Sequence, residues 1–231
     1  METTAEGLSR CCSHKTRPAT FFILQTVGGA ILFITDGIVG SYAGFVYTYA
    51  VSPPFLMAHK TAGCLSSVFW ASITFSRLGF ILLSYRYSAP TLITFSLVGV
   101  LLVHGLMLIF YRSSVFLFLG TFVLGLCISS VFPCLLAFTE DILDYQGCVT
   151  TVLVTSASSG EMLMQLIVGS LIQSYGSYSF MLCCTISSFI GFCLFLLFLY
   201  VHHRHKHSYS PSTDCVKDLN MTEIPRPLSG S

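Results

Sequence analysis

Apolar residues fall in six long blocks along the chain, at about 20–50, 61–83, 89–110, 114–139, 147–173 and 178–201. Between them lie short breaks of turn-forming or charged residues: "VSPPFLMAHK", "SYRYSAP", "YRSS", "EDILDYQG" and "SYGSYS". About 20 predominantly apolar residues suffice to cross a bilayer as a helix, and each block meets that length. The pattern predicts an all-α polytopic membrane protein with six transmembrane helices. Residues 1–19 form a polar N-terminal segment, and 202–231, Ser/Pro-rich, read as a disordered tail. The polar start, followed by an apolar run too long for a signal peptide and without a small-residue cleavage site, argues against a leader.

Composition agrees. Of 231 residues 54% are hydrophobic and only 9% charged, against about 25% charged in soluble domains. A net charge of +1 gives no electrostatic reason to expect a nucleic acid partner. The ten cysteines show no CxxC or Cys/His spacing that would hold a metal. Cys64, Cys127, Cys134, Cys183, Cys184 and Cys193 lie in apolar runs as small hydrophobes, and Cys11 and Cys12 precede the first run as weak acylation candidates.

Six spans put both termini on one side of the membrane. Of the eleven Lys and Arg residues only Lys60 and Arg112 fall on the other side, so the positive-inside rule places both termini in the cytoplasm. Asn220-Met221-Thr222, a formal glycosylation signal, is then unusable. The basic run "HHRHKH" at 202–207 reads as a positive stop after the last helix rather than a metal site.

Two acids interrupt the hydrocarbon: Asp36 in the first block and Glu161 in the fifth. Both fall near the bilayer midplane, where a charge costs about 2.5–3.5 kcal/mol on insertion scales. That is the depth at which secondary transporters hold substrates and coupling ions. Helical spacing groups Asp36 with Gln25, Gly29, Leu32, Gly40, Ala43 and Tyr47 on one face, suited to the wall of a watered cavity. The same spacing groups Ser158, Glu161 and Gln165. Gln25 and Gln165 supply the paired donors and acceptors that suit sugar hydroxyls. The competing reading is that these residues only fasten closely packed helices. No Lys or Arg is expected at that depth to neutralise the acids. His104, alone on an apolar helix, reads as a partner-bonded structural histidine, and Pro133 should bend the fourth helix. A cytoplasmic gate is expected between Arg77 and Arg86, around the second break, and Glu140, Asp141 and Asp144, after the fourth span. Such charges at neighbouring helix ends can pair when a gate closes.

The run "RLGF....YR" resembles the cytoplasmic loop motif of the major facilitator superfamily, in its C-terminal six-helix half. Further stretches, "FITDGIVGSYAGFVYTYAV", "HKTAGCLSSVFWASITFSRL", "SSVFPCLLAFTEDILDYQGC", "TTVLVTSASSGEMLMQLIVGS" and "GSYSFMLC", resemble the second half of the sodium-dependent glucose transporter 1 family over about residues 20–201. The resemblance implies a rocking transporter that carries glucose and related hexoses by secondary active symport, with sodium as coupling ion and no other cofactor. It further implies a plasma-membrane, apical location. Asp36, Gln25 and Tyr47 would then line the cavity, Asp36 binding sodium or a sugar hydroxyl, with Glu161 and Gln165 near the interface between halves. Full members have two such halves. This chain holds one and starts in what would be their central cytoplasmic loop, so a homodimer or an absent N-terminal half is the expected partner beside hexose, sodium and lipid. The alternative is a non-transporting truncated form that regulates or associates with the full-length transporter. No HExxH, GxSxG or spaced His/carboxylate set suggests an enzyme.

Overall fold

The computed structural model describes residues 19–143 and 146–209, with side chains for 22–139 and 149–203. Seven helices account for the described residues: α1 (Ala19–Val51), α2 (His59–Ser84), α3 (Ala89–Ile109), α4 (Ser114–Ile128), α5 (Val131–Leu143), α6 (Gln146–Tyr175) and α7 (Tyr178–Tyr209). They supply six membrane-length spans, the fourth being α4 and α5 in sequence. The membrane-facing surface is apolar, with Phe75, Leu82, Phe95, Val115 and Leu166 exposed. The chain is therefore an all-α, multi-pass membrane protein. Both chain ends of the bundle emerge on one side, termed the near side below.

Two boundaries differ from the sequence expectation. The last helix continues through the basic run to Tyr209, because backbone hydrogen bonding need not stop where hydropathy does; the first helix-incompatible residue is Pro211. The fourth span is interrupted at Ser129–Ser130. Pro133 has no N–H to give the Ser129 carbonyl and its ring crowds that group. The ladder ends with Ser129 N–H donating to Gly125 O at 3.4 Å and resumes with Cys134 N–H to Ser130 O at 3.2 Å. Hydroxyls tie the break to its neighbours: Ser129 Oγ donates to Ile73 O of α2 at 3.1 Å, and Ser130 Oγ bonds Ser96 Oγ of α3 at 2.6 Å. The bend expected at Pro133 thus appears one turn earlier, at the carbonyl that Pro133 leaves unpaired.

α1 is the hub. Its most extensive contact is with α6, the next with α7, and it also meets α2 and α5. Buried apolar residues form two layers, a far one around Tyr42, Tyr49, Phe69 and Phe180 and a near one around Leu32, Leu153, Phe195 and Phe198. Where lipid tails are as apolar as the helix surfaces, close backbone approach and dispersion drive association. Gly160 of α6 shows it: a Cβ there would overlap the backbone carbonyl of Phe33 in α1. Gly160→Ala is expected to push α1 from α6 and cost about 1–3 kcal/mol, the usual range for overpacking. Detergent-solubilised protein should show this as a lowered thermal midpoint. An unchanged midpoint would mean that the seam is loose.

Candidate functional site

α1 and α6 run parallel, and their seam can be followed from the near side outward. Gln25 Nε2 donates to Val149 O at 3.3 Å, and Ser156 Oγ donates to Gly29 O at 2.8 Å. Gly160 meets Phe33, and Gly37 meets Met164. At Gly40 the neighbours become polar: the position of a Cβ there would lie 3.1 Å from Glu161 Oε1 and 2.7 Å from Gln165 Nε2. Gly40 is one turn beyond Asp36, about 6 Å along the axis. The seam therefore brings Asp36, Glu161 and Gln165 to one region of the bundle. Asp36 and Gln165 are half-buried, and Glu161 is exposed at the edge.

The rest of the expected polar face serves other ends. Leu32 is fully buried in the near layer, while Gly29 and Gly40 are buried against α6. In this chain these small residues form a packed seam between helices. Gln25 is tied to the α6 backbone and Tyr47 Oη bonds His59 Nδ1 of α2 at 2.8 Å. Each lies eleven residues from Asp36, about 16 Å along α1 in opposite directions. The two glutamines thus stand at different depths and cannot grip one small solute together.

Arg77, expected at the gate, lies two turns inside α2. Phe69 of α2 packs on Tyr42 of α1 with ring centroids 4.9 Å apart. From that contact Asp36 lies six residues back along α1, about 9 Å. Arg77 lies eight residues on along the antiparallel α2, about 12 Å. The two charges therefore stand at nearly one level along the bundle. The expectation that no cation shares the depth of the acids is corrected to this extent: Arg77 stands at about the level of Asp36 on the neighbouring helix. Arg86 is exposed in the turn after α2. The side chains of Glu140 and Asp141, and all of Asp144, lie outside the described residues, as do Cys11, Cys12 and residues 210–231 of the tail.

A second polar group lies beyond the charges. Tyr42 Oη bonds Thr121 Oγ1 of α4 at 2.7 Å. His104 is completely buried, with Nδ1 3.0 Å from Ser188 Oγ of α7 and 3.1 Å from Val100 O. His104 thus joins α3 to α7 as a hydrogen-bonded structural residue. The Tyr42–Thr121 pair went unseen in the sequence because a tyrosine among aromatics carries no period of its own.

No family model matches the chain. Among known proteins it is similar to major facilitator superfamily domain-containing protein 4A of Danio rerio, 57% identical over 193 residues, 83% of this chain and 37% of that protein. The protein of the same name from Homo sapiens is 47% identical over 197 residues, 84% of this chain and 38% of that one. The similarity to sodium-dependent glucose transporter 1 of Danio rerio is much weaker, 27% over 148 residues, 63% of this chain and 25% of that protein. The chain thus spans under two fifths of the length of the 4A relatives it matches. The finer resemblance read from the sequence gives way here: the motifs it rested on are shared more fully with the 4A proteins. Six spanning helices, together with this similarity over four fifths of the chain, place it in the major facilitator superfamily.

Proposed function

We propose that the chain forms one wall of a solute path in a secondary transporter, with Asp36, Glu161 and Gln165 as its polar lining. The observation that carries this is the meeting of α1 and α6 at Gly40, where the Glu161 carboxylate and the Gln165 amide stand one turn from Asp36 within otherwise apolar spans. Charge in mid-membrane is expensive unless it meets a partner, water or a ligand. Small hydrophilic solutes such as hexoses need such hydrogen-bonding groups to leave water. The weak similarity to proteins named sodium-dependent glucose transporter 1 supports hexose and sodium as the solutes. The charge asymmetry of the ends supports cytoplasmic termini, and with the hexose reading goes a plasma-membrane location. Such a six-helix wall would act together with a second six-helix unit, either another copy or a further half. A chain that associates with a transporter without itself transporting is the other reading.

Uptake of labelled glucose into proteoliposomes containing only this chain, with and without an inward sodium gradient, tests the proposal. Accumulation only with the gradient is the expected result. No accumulation by protein shown to be inserted and folded would favour the associating form.

A further inference from the structure

We propose that a groove between α6 and α7 on the far side binds one phospholipid, with an acyl chain in the groove and the phosphate at Arg112. The site stands apart from the α1–α6 seam and does not depend on the transport reading. The groove encloses about 390 Å3 and is lined by Leu171 and Tyr175 of α6 and by Tyr178, Leu182, Cys183 and Ile186 of α7. From Tyr178 to Ile186 it follows α7 for about 12 Å. Half of a hydrocarbon core of about 30 Å is one leaflet, so the groove runs most of a leaflet's depth. Tyr175 and Tyr178, both exposed, mark its outer end, the level at which amphipathic rings meet headgroups. Two ring contacts join that end to a cation. Tyr178 and Tyr111 pack edge to face with centroids 6.0 Å apart, and Arg112 Cζ lies 5.4 Å from the centre of the Tyr111 ring. Arg112 is exposed, and the far-side turns at 52–58, 110–113 and 176–177 contain no Asp or Glu. Its charge is thus open to an anion from outside the chain, and a guanidinium offers phosphate two parallel N–H donors. A free phosphate would leave the apolar groove without an occupant. A phospholipid supplies the anion and the chain together.

Native mass spectrometry of the full chain, freed from detergent micelles, counts bound lipids directly. The probes are dioleoyl phosphatidylglycerol, dioleoylglycerol with the same chains and no phosphate, and inorganic phosphate alone. The intact chain is expected to hold one phosphatidylglycerol, to hold dioleoylglycerol about tenfold more weakly, and to ignore free phosphate. Arg112→Gln is expected to weaken phosphatidylglycerol about tenfold, as the loss of one charge-assisted contact should, and to leave dioleoylglycerol unchanged. Arg112→Lys, which keeps the charge, should restore most of the binding. Lys60→Gln removes the other far-side cation, on α2, which packs against α1 and α4, and should change nothing. Leu182→Trp, which fills the groove, should weaken both lipids alike. Arg112 and Leu182 are both exposed, so neither substitution reaches the buried layers.

Phosphatidylglycerol held equally by the intact chain and by Arg112→Gln would overturn the assignment of the phosphate. Equal losses in Arg112→Gln and Lys60→Gln would do the same, because the attraction would then belong to far-side charge in general. Lipid binding that Leu182→Trp leaves untouched would overturn the groove. Displacement of the phospholipid by an equal amount of cholesterol would make the occupant a sterol and refute the proposal.

Discussion

Asp36→Asn in reconstituted protein is expected to lower sodium-dependent glucose uptake by about 10–100-fold while leaving the amount of inserted protein unchanged or raised. Asn keeps the size and one acceptor of Asp and removes only the charge. A contact between a charged group and its partner contributes about 1.5–3 kcal/mol, and each 1.4 kcal/mol is about a factor of ten in affinity. Insertion should not suffer, because a buried charge in mid-membrane costs about 2.5–3.5 kcal/mol on insertion scales, and the variant is spared that. The two effects run in opposite directions, which separates function from folding. If Asp36 merely fastened α1, its loss would loosen the bundle and leave the sodium dependence of whatever uptake remained untouched. Uptake as a function of sodium, normalised to inserted protein, distinguishes the cases. Full sodium activation in the variant would return Asp36 to a packing role.

The reach of the sequence differs between residues for a physical reason. Span length and hydropathy are properties of one segment, so six membrane crossings are legible without knowing any contact. Pro133 is legible in the same way: it lacks an N–H wherever it sits, and the ladder opens at Ser129 accordingly. Helical period also groups Ser158, Glu161 and Gln165 on one face. What a period cannot say is which helix that face meets, or at what depth two helices cross. Gly29, Leu32 and Gly40 share a face with Asp36, yet the structure commits them to packing. Gln25 and Tyr47 share it too, but hydrogen bonds tie them to α6 and α2 at opposite ends.

Arg77 is the clearest instance. Opposite charges at neighbouring helix ends drew it toward a gate, while its distance from Ser84 already placed it two turns inside a helix. Converting residue number to depth along an antiparallel neighbour would have found its level, though not its side. The family reading failed at the finer grade for a related reason. Short loop and helix motifs are shared across related transport families, and only identity over most of the chain, 57% against 27%, separates one relative from another.

Tyr42→Ala should be the most destabilising single change in the far layer, by about 3–5 kcal/mol, the range for truncating a buried aromatic. The side chain is fully buried. Its ring packs on Phe69 at 4.9 Å, Phe180 at 5.6 Å and His104 at 6.4 Å between centroids. It therefore links α1 to α2, α3 and α7 at once. In a bilayer little of the loss comes from hydrophobic transfer, because the unfolded helices sit in lipid rather than water. It comes from dispersion contacts that the surrounding rings cannot recover when the space stays empty. Tyr42→Phe isolates the hydroxyl. Thr121 Oγ1 would lose its bond to Tyr42 at 2.7 Å but keep its donation to Leu117 O, also 2.7 Å, so about 0.5–1.5 kcal/mol is expected. Denaturation of both variants in mixed micelles gives the two losses on one scale. If Tyr42→Ala costs no more than Tyr42→Phe, the aromatic cluster is not what joins these helices. The hydrogen bonds between α3 and α7, and those that tie the break after α4 to α2 and α3, would then have to hold the far layer together.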